Sequence, residues 1–452
     1  MHGRASLTSD PPTIFSNPLN NMNTVAPPLS RWVTWLLGIY GSGKPPVLGT
    51  VDVHEIEEKA REVLKNQQSA FLYVLRGAGT SSTCAENRRA LDRWKLVPRM
   101  LENVGERNLE TTIFGVTHPA PVFVAPIGAQ ALVHNDGELA TARAAAKVGV
   151  PLIVSSAASR SMEDIAQAHG SDGHRWYQLY WTLSSDLTLS LLRRAKESGY
   201  TALVVTVDTM ILGWRAHDHG VPYSPAGHGY GVQQGISDPV FMARFGLEAR
   251  HEQPQFPFVQ EEVRQKAAAG DVAAQQSMLL GSKWVGEIAS GIFRSWEELQ
   301  FIRDNWEGPI VLKGILAPED AEKAIDFGID GIIVSNHGGR QVDGSIGTLD
   351  ALDMIMRSPK VIQAQSSRKL TVLFDSGIRT GSDVIKALAL GAQAALIGRP
   401  TIYGLAIAGE EGVEQILMQT ICDLHITVGL CGFRDVKDLV GAREKVMMKL
   451  SQ

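Results

Sequence analysis

LTVLFDSGIRTGSDVIKALALGAQAALIGRP, from Leu370 to Pro400, holds one complete turn of the pattern that decides the fold. A short apolar run ending at Phe374 meets a glycine-bearing turn. An Ala/Leu-rich amphipathic segment follows, and a second apolar run opens at Ala394. Strand, turn, helix and strand in that order form a βαβ unit, whose helix carries the chain back so that its two strands lie parallel.

The same rhythm extends toward the N-terminus. VFVAP (Val122–Pro126), PLIVS (Pro151–Ser155), WYQLY (Trp176–Tyr180), ALVVTVD (Ala202–Asp208), PIVLKG (Pro309–Gly314) and GIIVSNH (Gly331–His337) precede LTVLFDSG (Leu370–Gly377) and AALIGRP (Ala394–Pro400). Eight strand-like runs separated mostly by helices predict an α/β fold, a (β/α)8 TIM barrel. A doubly wound open sheet is the alternative. Such a sheet carries a glycine fingerprint after its first strand, where this chain reads APIGAQA.

Two departures frame the barrel. Residues 1–30 are rich in Pro, Asn and Ser and read as a disordered leader, and Val51 to Lys65 then turns helical, giving an N-terminal helical extension. Residues 31–450 form one barrel domain. Within it, the interval between Asp208 and Pro309 is far longer than one crossover helix, with Gly, Tyr and His over Ser224–Gly235 and a charged, Gln/Ala-rich stretch over Glu248–Gln276. An insertion after strand four leaves the barrel at its C-terminal face, where active sites sit, so residues 216–300 read as a lid rather than an inert loop.

Composition bounds the function. In 452 residues, 44% are hydrophobic and 20% charged, the balance of a soluble globular enzyme. A net charge of -5 gives no basic excess for nucleic acid, so any anion site must be built locally. Cys84, Cys422 and Cys431 are too scattered for a disulfide framework or a zinc site. WVTWLLGIY (Trp32–Tyr40) is too short to span a bilayer, and the leader lacks a signal-peptide core, so the expected location is cytoplasmic with no membrane partner.

Nearly every strand ends in a polar residue: Ser155, Gln178 with Tyr180, Thr206 with Asp208, Lys313, Ser335 with His337, Asp375 and Arg399. In a barrel filled by apolar strands these termini converge on one ring. SNHGGRQ (Ser335–Gln341) sets an imidazole, which titrates near neutral pH, beside the planar fork of Arg340, which matches a carboxylate. FDSGIRTGSD (Phe374–Asp383) and LIGRP (Leu396–Pro400) end strands seven and eight. With Arg379, Arg399 and a helix N-terminus they form a phosphate cradle, so a phosphorylated cofactor is expected in front of a redox-type site.

SNHGGRQ, DSGIRTGSDVIKALALGA, IGRP, LKG and the TVDT–GWR segment (Thr206–Arg215) resemble the FMN-dependent 2-hydroxy-acid oxidase and dehydrogenase family over roughly Trp35 to Leu450. GWR, PIGAQAL, DPVF (Asp238–Phe241) and the long insertion are most similar to its lactate 2-monooxygenase branch. The resemblance implies oxidation of an (S)-2-hydroxy acid, lactate-like in size, with oxygen as acceptor and oxidative decarboxylation where the lid retains the product. Ala157, which stands where plant glycolate oxidases carry Trp, leaves room for a larger acid. It also implies FMN as cofactor and a homo-oligomer.

Carried onto matching positions, the resemblance makes His337 the base and Asp208 its partner. Arg340 and Arg215 clamp the substrate carboxylate, Tyr73 and Tyr180 hydrogen-bond the substrate, and Lys313 lies beside the flavin. Pro126, Ile127, Gly128, Ser155, Gln178, Thr206, Ser335, Asp375, Gly377, Arg379, Gly398 and Arg399 hold FMN with Lys313. No metal is expected. His217-Asp218-His219 offers no third ligand at useful spacing, and GIYGSGK (Gly38–Lys44) mimics a phosphate loop but runs into Pro45. Arg443–Lys449 reads as a solvated helix. A non-catalytic FMN-binding protein would be expected to lose the base or the clamp, and this chain keeps both.

Overall fold

The computed structural model describes residues 29–450, so the leader reading falls almost wholly outside the described residues. Eight parallel strands close a barrel: β1 (Val122–Val124), β2 (Leu152–Ser155), β3 (Arg175–Tyr180), β4 (Leu203–Thr206), β5 (Ile310–Ile315), β6 (Gly331–Val334), β7 (Thr371–Phe374) and β8 (Ala394–Ile397). Each pairs with its sequence neighbours, and β8 returns to β1 through Leu396 opposite Phe123. The open-sheet alternative is thereby excluded. Phe123, Ile153, Trp176, Val204, Val311, Ile333, Leu373 and Leu396 fill the bore, which is why the strands read as continuous apolar runs.

A hairpin of Thr111–Ile113 and Val116–His118 crosses the N-terminal end of the barrel. Its Ile113 and Phe114 join the bore cluster, and the Phe114 ring lies 5.4 Å from that of Trp176. The barrel is therefore plugged at the bottom. At the top, Gly314 (φ +111) interrupts the β5–β6 register, and a Cβ there would lie 2.7 Å from that of Asp208. Glycine at this position lets the end of β4 crowd against β5.

The N-terminal extension contains helices Arg31–Ser42, Val53–Val63, Gln68–Leu75 and Ser82–Arg93. The first two pack against the long C-terminal helix Arg399–Leu430, which breaks at Ala408–Gly409. Asp343 accepts from the backbone and hydroxyls of Thr80 and Ser82, tying the extension to the loop after β6. GIYGSGK belongs to the end of a helix whose C-cap, Gly43, is left-handed (φ 62); it forms no phosphate loop. Arg443–Lys449 differs from expectation. Only Arg443–Val446 is helical, while Met447–Lys449 pairs antiparallel with Trp94–Leu96, where Met447 is buried opposite Leu96.

The insertion after β4 is largely helical: Ala216–Gly220, Gln233–Ile236, Pro239–Ala243, Gln260–Ala268 and Val272–Ile288. Of these, Gln260–Ala268 buries no residue, consistent with its charged, Gln-rich sequence. The others pack tightly. Trp284 is fully buried with its ring 5.4 Å from Phe241, and a Cβ at Gly235 would meet that indole at 2.4 Å. Asp238, from the DPVF segment, caps Pro239–Ala243 and receives Arg194 of the β3–β4 crossover helix at 3.0 Å. Arg244 bonds Glu287 and Asp186, both at 2.7 Å. Among the described residues no helix is long and apolar enough to cross a membrane.

Candidate active site

Above the C-terminal ends of the strands lies a cavity with about 1470 Å³ of empty space, its open mouth included. Its wall combines loops after β1, β2, β5, β6, β7 and β8 with helix Gln68–Leu75 and the insertion. Of the polar strand ends, Ser155, Tyr180, Lys313, His337, Asp375 and Arg399 line the cavity.

His337 follows β6 with a left-handed backbone (φ +58), held by a hydrogen bond from its N–H to Ser335 Oγ at 3.1 Å. For a non-glycine residue this conformation is sparsely populated, and it persists because the surrounding loop fixes it. Asn336 does much of that fixing. It exchanges amide hydrogen bonds with Asn87 (2.9 and 2.6 Å) and accepts from Gly339 N–H. The imidazole Nδ1 donates to Asp208 Oδ1 at 2.8 Å. A carboxylate partner requires the hydrogen on Nδ1 and leaves the Nε2 lone pair free, 3.4 Å from the Tyr180 hydroxyl.

The electrostatics suit a base. Burial drives the His337 pKa down against the pull of Asp208, and Lys313 and Arg215 add to the lowering, so the ring is neutral at neutral pH. For Asp208 burial acts upward, but the imidazole, Lys313 and Thr209 outweigh it and bring the carboxyl to about 2. It is ionised throughout the working range. Its Oδ2 is buried with no hydrogen-bond partner among the described residues, and its Oδ1 also accepts from Thr209 Oγ1 at 2.7 Å.

Arg340 and Arg215 flank the Tyr73 ring, with guanidinium carbons 5.1 and 5.9 Å from its centroid. Arg340 donates to the carbonyls of Tyr73 and Arg76, and Arg215 reaches the carbonyl of Arg340 and Gln341 Oε1 at 3.5 and 3.4 Å. Neither has a carboxylate partner among the described residues. Burial first, and then the neighbouring Arg215, push the Arg340 pKa down, as expected of two cations held close together. A carboxylate between them would relieve that strain.

On the opposite side, Lys313 is buried, donating to Ser335 Oγ at 3.0 Å and lying 3.4 Å from Asp375. Pro126, Ile127, Gly128, Ser155, Lys313, Asp375, Gly377, Arg379, Gly398 and Arg399 all line the cavity. Gln178, Thr206 and Ser335 do not. Gln178 Nε2 donates to Thr206 Oγ1 at 3.0 Å behind the wall, and Ser335 positions Lys313 and His337 from below. Asp208 also lies behind the lining and acts on the cavity through His337.

The expected phosphate cradle changes in one part. The N-terminus of helix Gly381–Leu390 is already occupied. Asp383 closes a capping box with Thr380 and accepts from the Arg379 N–H, while Asp423 takes the Gly381 N–H at 2.6 Å. Anion binding therefore falls to the two arginines and to the start of helix Arg399–Leu430 at Gly398. Among the described residues Arg379 and Arg399 donate only to backbone carbonyls and the Cys84 thiol, and neither is paired with a carboxylate there. A Cβ at Gly128 would sit 2.4 Å from the Ala157 carbonyl, so the β1 loop must lie flat against the β2 loop. Unpaired cations beside flat glycine-bearing loops and a buried lysine fit a phosphorylated, planar cofactor such as FMN.

Several contributors escaped sequence reading. Thr209 lies within TVDT yet carried no assigned role. Ser376 donates to Asp375 Oδ1 and accepts from Gly338 N–H at 3.0 Å, and Gln341 bridges the β4 and β6 loops by donating to the carbonyls of Asp208 and Ile211. His217 and His219 lie on a short helix of the insertion, away from the cavity lining.

Comparison with known proteins agrees with this geometry. The family model for FMN-dependent dehydrogenase matches residues 60–446. An FMN-dependent alpha-hydroxy acid dehydrogenase, qulF, of Penicillium citrinum is 44% identical over 383 residues, covering 85% of this chain and 87% of its own. An L-lactate oxidase of Lysinibacillus sphaericus is 38% identical, covering 82% of this chain and 86% of its own. Among solved structures, mandelate oxidase bound to 3,3-difluoro-2-hydroxy-3-phenylpropionic acid superposes with a TM-score of 0.68 at 34% identity, covering 89% of this chain and 100% of that one.

Proposed function

This chain belongs to the FMN-dependent dehydrogenase family, and we propose that it oxidises an (S)-2-hydroxy acid to the 2-oxo acid with dioxygen as final electron acceptor. One observation carries the reading: an imidazole backed by a buried carboxylate shares its cavity with two arginines that have no carboxylate partner among the described residues.

FMN, when bound, supplies the two-electron acceptor for the alcohol carbon and passes the electrons to oxygen. Arg379, Arg399, Gly377 and Gly398 would hold its phosphate, and Lys313 would place positive charge beside its ring. Arg340 and Arg215 take the substrate carboxylate in a paired clamp, with Tyr73 between them fixing their spacing. The clamp orients the hydroxyl-bearing carbon toward His337. Nε2 then accepts the proton released in oxidation, while the Tyr180 hydroxyl, 3.4 Å away, hydrogen-bonds the substrate oxygen. As the imidazolium forms, Asp208 becomes its counterion. The interaction is strongest in the charged state and so favours the transition state over the ground state.

The packed insertion supports a further step. A roof that retains the 2-oxo acid beside hydrogen peroxide allows oxidative decarboxylation, giving the shortened carboxylic acid, carbon dioxide and water. A roof that opens sooner releases oxo acid and peroxide. Anaerobic mixing of purified holoenzyme with 2-hydroxy acids tests the core reading through bleaching of the flavin absorbance, and failure of every acid to bleach it overturns that reading. Product analysis in air separates the two fates, because accumulated peroxide with stoichiometric oxo acid excludes decarboxylation.

A further inference from the structure

Building on the 2-hydroxy-acid oxidation proposed above, we infer that the substrate carries a large apolar side chain, phenyl-sized or longer, and that the insertion forms the chamber receiving it. The charged groups that face the cavity are accounted for by the carboxylate clamp, the base and the phosphate side. Beyond them, the insertion, the loop leading into it and the β2 loop contribute Ala157, Leu212, Tyr230, Val285, Ile288 and Ala289 to the wall. None carries a charge, and the one hydroxyl among them, that of Tyr230, is spent on the carbonyl of Gln255. This wall offers nothing to a second carboxylate, an amine or a sugar-like hydroxyl. An apolar side chain is the chemistry that it desolvates without leaving a polar group unpaired.

Its breadth comes from small residues in places where bulk would close it. Ala157 and Ala289 present only methyl groups. Gly231 of the insertion lies against the barrel loops so closely that a Cβ would stand 2.8 Å from the Ala157 carbonyl and 3.1 Å from Ala129 Cβ. The roof is set rather than loose. The last turn of Val272–Ile288 reaches the cavity, and that helix is fixed by Gly281, where a Cβ would meet the Ala226 carbonyl at 2.2 Å, and by Trp284 in the core of the insertion. Lactate would bring one methyl group to this space. It would leave most of the apolar wall uncovered and forgo the binding energy which that wall offers.

The test is a specificity profile of the holoenzyme on (S)-lactate, (S)-2-hydroxybutyrate, (S)-2-hydroxyhexanoate, (S)-2-hydroxyoctanoate, (S)-3-phenyllactate and (S)-malate, read as anaerobic flavin reduction. We expect kcat/KM to climb by about fourfold per added methylene until the chamber is filled, phenyllactate to exceed lactate by more than an order of magnitude, and malate to fall below lactate. Ala289→Trp and Ala157→Trp should each lower the octanoate-to-lactate ratio of kcat/KM by at least about tenfold. Should either variant fold poorly, difference-spectral titration of wild-type holoenzyme with pyruvate and 2-oxooctanoate gives the same comparison as binding constants. A flat or falling profile, or equal binding of the two oxo acids, overturns the chamber while leaving the oxidation reading intact. Absence of flavin reduction by every acid overturns the oxidation reading itself.

Discussion

Replacing Asp208 with asparagine keeps the side-chain shape and removes its charge. Oδ1 stands 2.8 Å from His337 Nδ1 with both side chains mostly buried. With charge centres about 4 Å apart and an effective dielectric of about 20, the imidazolium–carboxylate attraction amounts to about 4 kcal/mol. Asparagine can still accept the Nδ1 hydrogen bond, which restores about 1 kcal/mol. The remaining loss of about 3 kcal/mol applies only once the imidazole has taken its proton, so it falls on kcat, by about 100-fold, with KM little changed. The sign of the pH effect follows from the same geometry. The reactive form is the neutral imidazole, so the rate rises as His337 deprotonates. Without Asp208 that ring is a weaker base still, and the acidic limb moves to lower pH while the plateau drops. Rapid anaerobic mixing across the neutral range, followed by flavin absorbance, reads plateau and limb together. A plateau reduced by less than about threefold, or a limb displaced to higher pH, would refute the counterion role.

Three further outcomes follow from the structure. Arg340→Lys should raise KM and lower kcat/KM by about 10- to 100-fold, since an ammonium cannot reproduce the planar fork; unchanged steady-state kinetics would remove Arg340 from the clamp. Arg379→Met should weaken FMN binding by about tenfold or more, measured by recovery of flavin fluorescence on dilution, because it deletes a cation that no carboxylate among the described residues pairs with. Burial holds His118, His169 and His425 down to about 4 in the folded chain. The unfolded chain therefore binds more protons below about pH 6.5, and stability should fall between there and about pH 4 by up to about 3 kcal/mol per histidine. Urea unfolding midpoints that stay level across that window would contradict the assignment.

The barrel was legible because its signal is repeated. Eight apolar runs ending in polar residues can hardly be read otherwise, and SNHGGRQ sets an imidazole and a guanidinium together at a strand end. What escaped was information carried by contacts between distant segments. Thr209 looks like any strand-end threonine until His337 arrives from β6 at 3.1 Å. The helix N-terminus after β7 looked free for phosphate, yet Asp423, far along the chain, already occupies it. The insertion reads as a lid by its length and its place after β4. Its packing depends on Gly235 and Gly281, whose partners Trp284 and Ala226 lie 49 and 55 positions away, too far for periodicity to reveal. Met447–Lys449 misled for the same reason, because a strand with a single remote partner has no local signature.

The hairpin that stops the lower end of the barrel has a kinetic consequence. With Phe114 and Trp176 wedged in the bore, the described residues leave no passage down through the barrel, and the cavity opens above the strand ends. A molecule seated in that cavity leaves by the mouth it entered, so under the proposed oxidation the departure of product sets when the next acid can enter.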